Sequence, residues 1–105
     1  MIVVLHRPAM AHFRRLWFGH GAKSDTGVIV KFKGLHEIEY REGKRKLIAF
    51  RERLTGDPAM DIDSASIESW RPPFSDEPLT DAKRREILDN ICRAAERLGI
   101  TYVIR

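Results

Sequence analysis

The stretch Val28–Leu54, VIVKFKGLHEIEYREGKRKLIAFRERL, decides the fold class. In Val28–Lys33, residues Val28, Val30 and Phe32 alternate with Ile29, Lys31 and Lys33. In His36–Arg41, Ile38 and Tyr40 alternate with Glu37, Glu39 and Arg41. A period of two is what a half-buried antiparallel strand requires, because successive side chains point to opposite faces. Glu42-Gly43-Lys44 reads as a tight turn, with Gly43 free to take positive φ. Lys46–Leu54 then returns as the second strand of a hairpin and sets Ile48 and Phe50 on one face.

Working outward, Gly56-Asp57-Pro58 makes another turn, and Met60–Asp63 and Ile67–Trp70 read as two further short strands. Pro72-Pro73 stops the sheet, and Phe74–Pro78 crosses over as a loop, since successive prolines remove backbone donors. Thr80 suits a helix N-cap, with Asp81 favourably placed against the helix dipole. The helix runs to about Leu98. Ile87, Leu88, Ile91, Ala94, Ala95 and Leu98 form one apolar stripe, and Lys83, Arg85, Glu86, Asp89, Arg93 and Glu96 cover the other side. Gly99 fits the left-handed position after a helix, and Ile100–Ile104 is a closing strand.

Towards the N-terminus, Ile2–Leu5 is β-prone and Pro8 suits the first turn of a helix. Met10, Phe13, Leu16 and Trp17 recur at helical spacing opposite Arg14 and Arg15, and Gly19 and Gly21 end the pattern. Lys23-Ser24-Asp25-Thr26 makes a polar connection. The expected fold is α+β: an antiparallel β-sheet with one long C-terminal helix packed on one face. A short N-terminal strand/helix appendage, residues 1–25, precedes a sheet-and-helix core, residues 26–105, in a single domain.

The bulk properties agree. A chain of 105 residues has room for one modest core. Its 43% hydrophobic and 32% charged residues suit a globular protein rather than a disordered one. The longest apolar run, Met1–Leu5, is far short of the roughly 20 residues that span a membrane, and it lacks the flanks of a signal peptide. No membrane association is expected. A single cysteine, Cys92, cannot form an internal disulfide, which suits a reducing, cytoplasmic setting. The net charge of +4 is unevenly spread. Residues 1–54 hold 12 Lys/Arg and 5 Asp/Glu, whereas residues 55–105 hold 7 and 10.

Few residues suggest chemistry. His6, His12, His20 and His36 are irregularly spaced, and there is no pair of cysteines, so no zinc set can be assembled from the motif patterns. Cys92 falls on the apolar side of the long helix, where a thiol behaves as a small hydrophobe. Asp61 and Asp63 share a strand face, and Asp76 and Glu77 are adjacent, but neither pair has the pattern of a calcium loop. No phosphate-binding glycine loop or nucleophile elbow is present. The expectation is a non-enzymatic protein with no catalytic residue, metal or cofactor.

Two surfaces invite partners. Arg14, Arg15, Lys31, Lys33, Lys44, Arg45 and Lys46 can form a basic patch for nucleic acid, with nearby aromatic rings to stack on bases. Charge beside a hairpin turn also serves simply to keep the tip soluble. Phe13, Trp17 and Phe18 on the N-terminal helix can dock a second copy of the chain, or can pack on its own sheet.

Residues from about Thr26 to the C-terminus resemble the immunity protein 74 family of bacterial polymorphic toxin systems. The resemblance rests on Ile38-Glu39-Tyr40-Arg41-Glu42-Gly43 and on the apolar strand leading to Glu52. It continues through Ser66-Ile67-Glu68-Ser69-Trp70, Pro72-Pro73 and Ile87-Leu88-Asp89-Asn90-Ile91. It implies a non-enzymatic antidote that binds a cognate toxin and blocks it inside the producing cell. Trp70 and Arg71, with Glu68 nearby, sit at a strand-to-loop corner where an aromatic ring and a guanidinium can anchor an interface. Trp70 can instead pack against the long helix, the commoner place for a large aromatic ring. The basic overall charge sets this chain apart from the acidic plugs that cover nuclease clefts.

Overall fold

The alternating pattern of Val28–Leu54 becomes three consecutive antiparallel strands in the computed structural model, which describes residues 12–17 and 19–105. The expected Ile2–Leu5 strand, the helix start at Pro8, and Met10 and Phe18 lie outside these residues. The elements run β1 (Phe13–Arg15), β2 (Gly21–Ser24), β3 (Val28–Lys33), β4 (Glu37–Glu42), β5 (Arg45–Arg53) and β6 (Met60–Asp63). A 3-10 turn (Ser64–Ser66), the helix α1 (Asp81–Arg97) and β7 (Tyr102–Ile104) complete the chain. The seven strands of the described residues form one sheet in sequence order, antiparallel except where β7 adds parallel to β6 after the α1 crossover. The α+β architecture read from the sequence is thus present, with its long helix at the C-terminal end.

Register decides which residues enter the core. The Gly43-Lys44 turn, with Gly43 at φ 58°, sets Tyr40 opposite Leu47 and Ile38 opposite Ala49. Across the other edge of β4, Tyr40 faces Val30 and Ile38 faces Phe32. Residues directly opposite share a face, so Leu47 and Ala49 join Tyr40, Ile38, Val30 and Phe32 in the core. The face shared by Ile48 and Phe50 is therefore the outer one, and Phe50 is 49% exposed.

Helix α1 forms as its sequence predicts. The Thr80 hydroxyl accepts from the Lys83 N–H at 3.0 Å and caps the first turn. Ile87, Ile91, Ala94 and Ala95 are fully buried and Cys92 nearly so. Each large aliphatic buried in this way contributes about 1.5–3 kcal/mol. Gly99 ends the helix at φ 73°.

Two segments depart from expectation. The helix expected through Phe13–Trp17 is replaced at Phe13–Arg15 by β1, and the polar connection beginning at Lys23 is the end of β2. Pairing of β1 with β2, and of β2 with β3, outweighs a short helical spacing pattern. Close approach also matters: a Cβ at Gly21 would lie 2.8 Å from Leu16 Cδ1 and 3.2 Å from the Val30 carbonyl oxygen. These strands lie against α1, where Arg97 donates to the Phe13 carbonyl at 3.2 Å. An aromatic N-terminal helix is thus not formed at Phe13–Arg15, and Trp17 is 89% exposed.

The second departure is Ile67–Trp70, which forms no strand. The chain leaves β6 through the 3-10 turn and runs beside the free edge of β5. There the Ser66 hydroxyl accepts from the Phe50 N–H at 2.8 Å, and the Arg71 N–H donates to the Lys46 carbonyl at 2.7 Å. The Ile67 carbonyl is taken by the Arg84 guanidinium at 3.1 Å. Two side-chain bonds and one isolated backbone bond thus stand where a ladder would run, and they cover the edge all the same.

Candidate functional site

The β4–β5 hairpin and the Trp70–Pro73 corner meet at one end of the sheet. Trp70 is only 4% exposed and stacks on Tyr40, with ring centroids 6.3 Å apart. Its indole is thus committed to the core, and the corner presents Arg71 and Pro72 to solvent beside it. The Arg71 N–H bond to Lys46 fixes the corner against β5. Glu68 is exposed earlier in the same segment.

Between the corner and the hairpin lies an open concavity of about 520 Å³, lined by Arg41, Gly43, Lys44, Lys46, Arg71 and Pro72. Four of the six lining residues are cationic and none is acidic. Arg41 and Lys46 face each other across β4 and β5. Lys44 and Arg71 make no ion pair among the described residues. Among the described residues, the carboxylate that reaches these cations is that of Glu39, 3.8 Å from Lys46 and 3.9 Å from Arg41. Glu39 is itself buried beneath Lys33, which donates to it at 2.7 Å. Burial would push the Glu39 carboxyl up, but the Lys33 hydrogen bond and the charges of Lys33, Lys46 and Lys31 outweigh it and hold it low.

The basic patch expected from sequence is divided by the fold. Arg14, Lys31, Lys33 and Lys46 share the sheet face away from α1, as their register with Lys23 and Glu39 requires. Arg15 turns towards the end of α1 and donates to the Leu98 carbonyl at 3.4 Å. Arg45 is taken by Glu77 through two hydrogen bonds of 2.7 Å and lies over the Phe74 ring at 4.4 Å. Lys44 stands at the hairpin tip. Sequence reasoning did not single out Arg41. Its signal was its position on the polar side of β4, directly opposite Lys46.

A second concavity, about 530 Å³, opens on the other side of the hairpin beside Glu42, Glu86 and Asn90. Its charges are already matched, because Lys83 Nζ lies 2.8 Å from both Glu42 and Glu86. Beneath it the Tyr40 hydroxyl donates to Glu42 at 2.5 Å and accepts from Asn90 at 2.9 Å. Burial, reinforced by the Glu42 hydrogen bond, raises the Tyr40 pKa and keeps the phenol protonated.

The Asp61–Asp63 pair is also occupied. Arg105 bridges Asp61 at 3.2 Å and Asp63 at 3.7 Å. Among the described residues, no three His, Cys, Asp or Glu side chains gather as a metal site, and no helix is long and apolar enough to cross a membrane. What this end of the fold offers chemically is charge, shape and hydrogen-bond donors.

The comparison with family models agrees with the sequence resemblance. Neither the curated proteins nor the solved structures returned a match. The family model for immunity protein 74 matches residues 34–105, from the β3–β4 turn through the hairpin, the corner, α1 and β7. That is more than half of the chain, and the protein belongs to the immunity protein 74 family.

Proposed function

We propose that this protein is the antidote of a bacterial toxin–immunity pair. It binds a cognate toxin in the cytoplasm of the producing cell and blocks it by occupying its working surface, without chemistry of its own. The observation that carries this reading is the family match over residues 34–105, which takes in the hairpin and corner together. The site supports it. A rigid corner held by Trp70, with exposed donors around a concavity, is suited to recognition. Arg71 makes the contact with the partner, and Glu68 lies at its margin. Trp70 acts from within, by holding the corner in place.

The test is protection. The toxin domain encoded beside this chain is expressed in cells with and without it, and growth is followed. Rescue of growth, with co-purification of the two proteins, is the expected result. Growth arrest in the presence of abundant folded chain defeats the proposal.

A further inference from the structure

We infer that the concavity formed by Arg41, Lys44, Lys46 and Arg71 receives an acidic projection of the toxin, a loop or helix end bearing two or more carboxylates. This rests on the immunity reading and names the chemistry of its contact. The concavity gathers four cations from the hairpin and the corner, and carboxylate groups are absent from its lining. Lys44 and Arg71 have no carboxylate partner among the described residues, whereas nearby Arg45 is fully engaged by Glu77. Arg71 is fixed at its backbone by the bond to Lys46, so its side chain projects from a defined point on the rim. A guanidinium suits bidentate pairing with a carboxylate, and Lys44 and Lys46 add point charges beside it.

The family match favours a protein over a nucleic acid, and acidic residues border the concavity on two sides. On the side of the hairpin towards α1 stand Glu42 and Glu86, and on the open sheet face stand Glu37, Glu52, Asp61 and Asp63. A polyanion leaving the concavity towards α1 or β6 would meet these carboxylates, whereas a compact acidic projection would not. Towards β1 the positive charge of the open face continues through Lys31, Lys23 and Arg14, so the test includes a DNA duplex.

The test uses the full chain and the inactivated toxin domain encoded beside it, with affinity measured by titration calorimetry. Three variants are compared: Lys44→Glu with Arg71→Glu, Lys44→Ala with Arg71→Ala, and Arg85→Glu on the exposed side of α1. Thermal melting checks that each is folded. The expected result is a loss of at least about tenfold in affinity for the double reversal, a smaller loss for the double alanine variant, and no loss for Arg85→Glu. Wild-type binding should weaken as salt is added. Wild-type affinity in both double variants overturns the inference and leaves the immunity reading standing. An equal loss with Arg85→Glu overturns it too, because the effect would then be one of net charge. Tight binding of a short DNA duplex that also needs Lys44 and Arg71 would replace the acidic projection with a phosphate backbone. Failure of the wild-type chain to bind or protect removes the immunity reading, and this inference with it.

Discussion

Asn90 donates its side-chain N–H to the Tyr40 hydroxyl at 2.9 Å, across the boundary between helix α1 and strand β4. Both residues are buried, and both belong to the stretches on which the family resemblance rests. The same Tyr40 ring carries Trp70, so the hairpin, corner and helix pieces of the resemblance converge on one side chain. The separate fragments thus describe one packed junction that holds up the candidate surface.

That junction is testable by removing one oxygen. Tyr40→Phe leaves the ring in place but strands the Asn90 amide, which is 4% exposed, and takes a donor from Glu42. A buried polar group left unpaired costs about 1–3 kcal/mol. For a domain of this size that is a drop in Tm of about 4–8 °C per kcal/mol. The double variant Tyr40→Phe with Asn90→Ala should cost less than the sum of the two singles. Strict additivity in the melting data would show that the bond contributes nothing.

Trp70 gives a second prediction. Trp70→Ala empties a packed site between Tyr40 and the corner and should cost about 3–5 kcal/mol. Because the chain has two tryptophans, fluorescence can follow the buried one alone in a Trp17→Phe background. Trp17 is almost fully exposed, so its replacement should leave stability nearly unchanged and the remaining emission blue-shifted. Solvent-like emission from folded Trp17→Phe protein would show that Trp70 is not packed on Tyr40.

Much of this arrangement was readable from the residues, and the failures share a cause. The strands β3 and β4 have strong alternation, so their inward faces were legible in Val30, Phe32, Ile38 and Tyr40. In β5 the run Leu47-Ile48-Ala49-Phe50 is apolar on both faces, and the register set by the turn at Gly43 is what buries Leu47 and Ala49. For Phe13–Arg15 a local helical spacing was visible, whereas pairing with Ala22–Ser24 is a tertiary fact. The candidate surface was half legible. Arg71, Lys44 and Lys46 stood out as charge, but Arg41 enters only because β4 and β5 bring it opposite Lys46. Arg45 drops out because Glu77, distant in sequence, reaches it.

Glu39 predicts a pH dependence. Its carboxylate is buried beside Lys33 and reached by Lys46 and Arg41, and its folded pKa lies below the ordinary value of about 4.3. A carboxyl whose pKa is lowered on folding stabilises the protein above its unfolded pKa. That stabilisation is lost as pH falls through the folded value. Glu39→Gln should therefore lower stability at neutral pH by about 1 kcal/mol, the upper end for ion pairs whose cations are screened by solvent. The gap between variant and wild type should close as pH drops below the ordinary carboxyl range. A gap of constant size across an acid titration of Tm would assign the effect to side-chain packing and reject the charge argument.

The start of α1 supplies the last prediction. The first turn of any helix leaves N–H groups without backbone partners. Here the Thr80 hydroxyl accepts from the Lys83 N–H, and the Thr80 carbonyl takes the Arg84 N–H at 2.9 Å. Thr80→Ala removes only the hydroxyl contact and should cost about 1 kcal/mol, whereas Thr80→Ser or Thr80→Asp should retain most of the stability. The consequence reaches beyond the helix end. Lys83 is held there by the cap and pairs with Glu42 at the hairpin, so loosening the first turn should also loosen the side of the hairpin facing α1. Faster amide exchange at Lys83 and Glu42 in Thr80→Ala than in Thr80→Ser is the expected signature. Faster exchange confined to Lys83 would show that the hairpin stands without the helix cap.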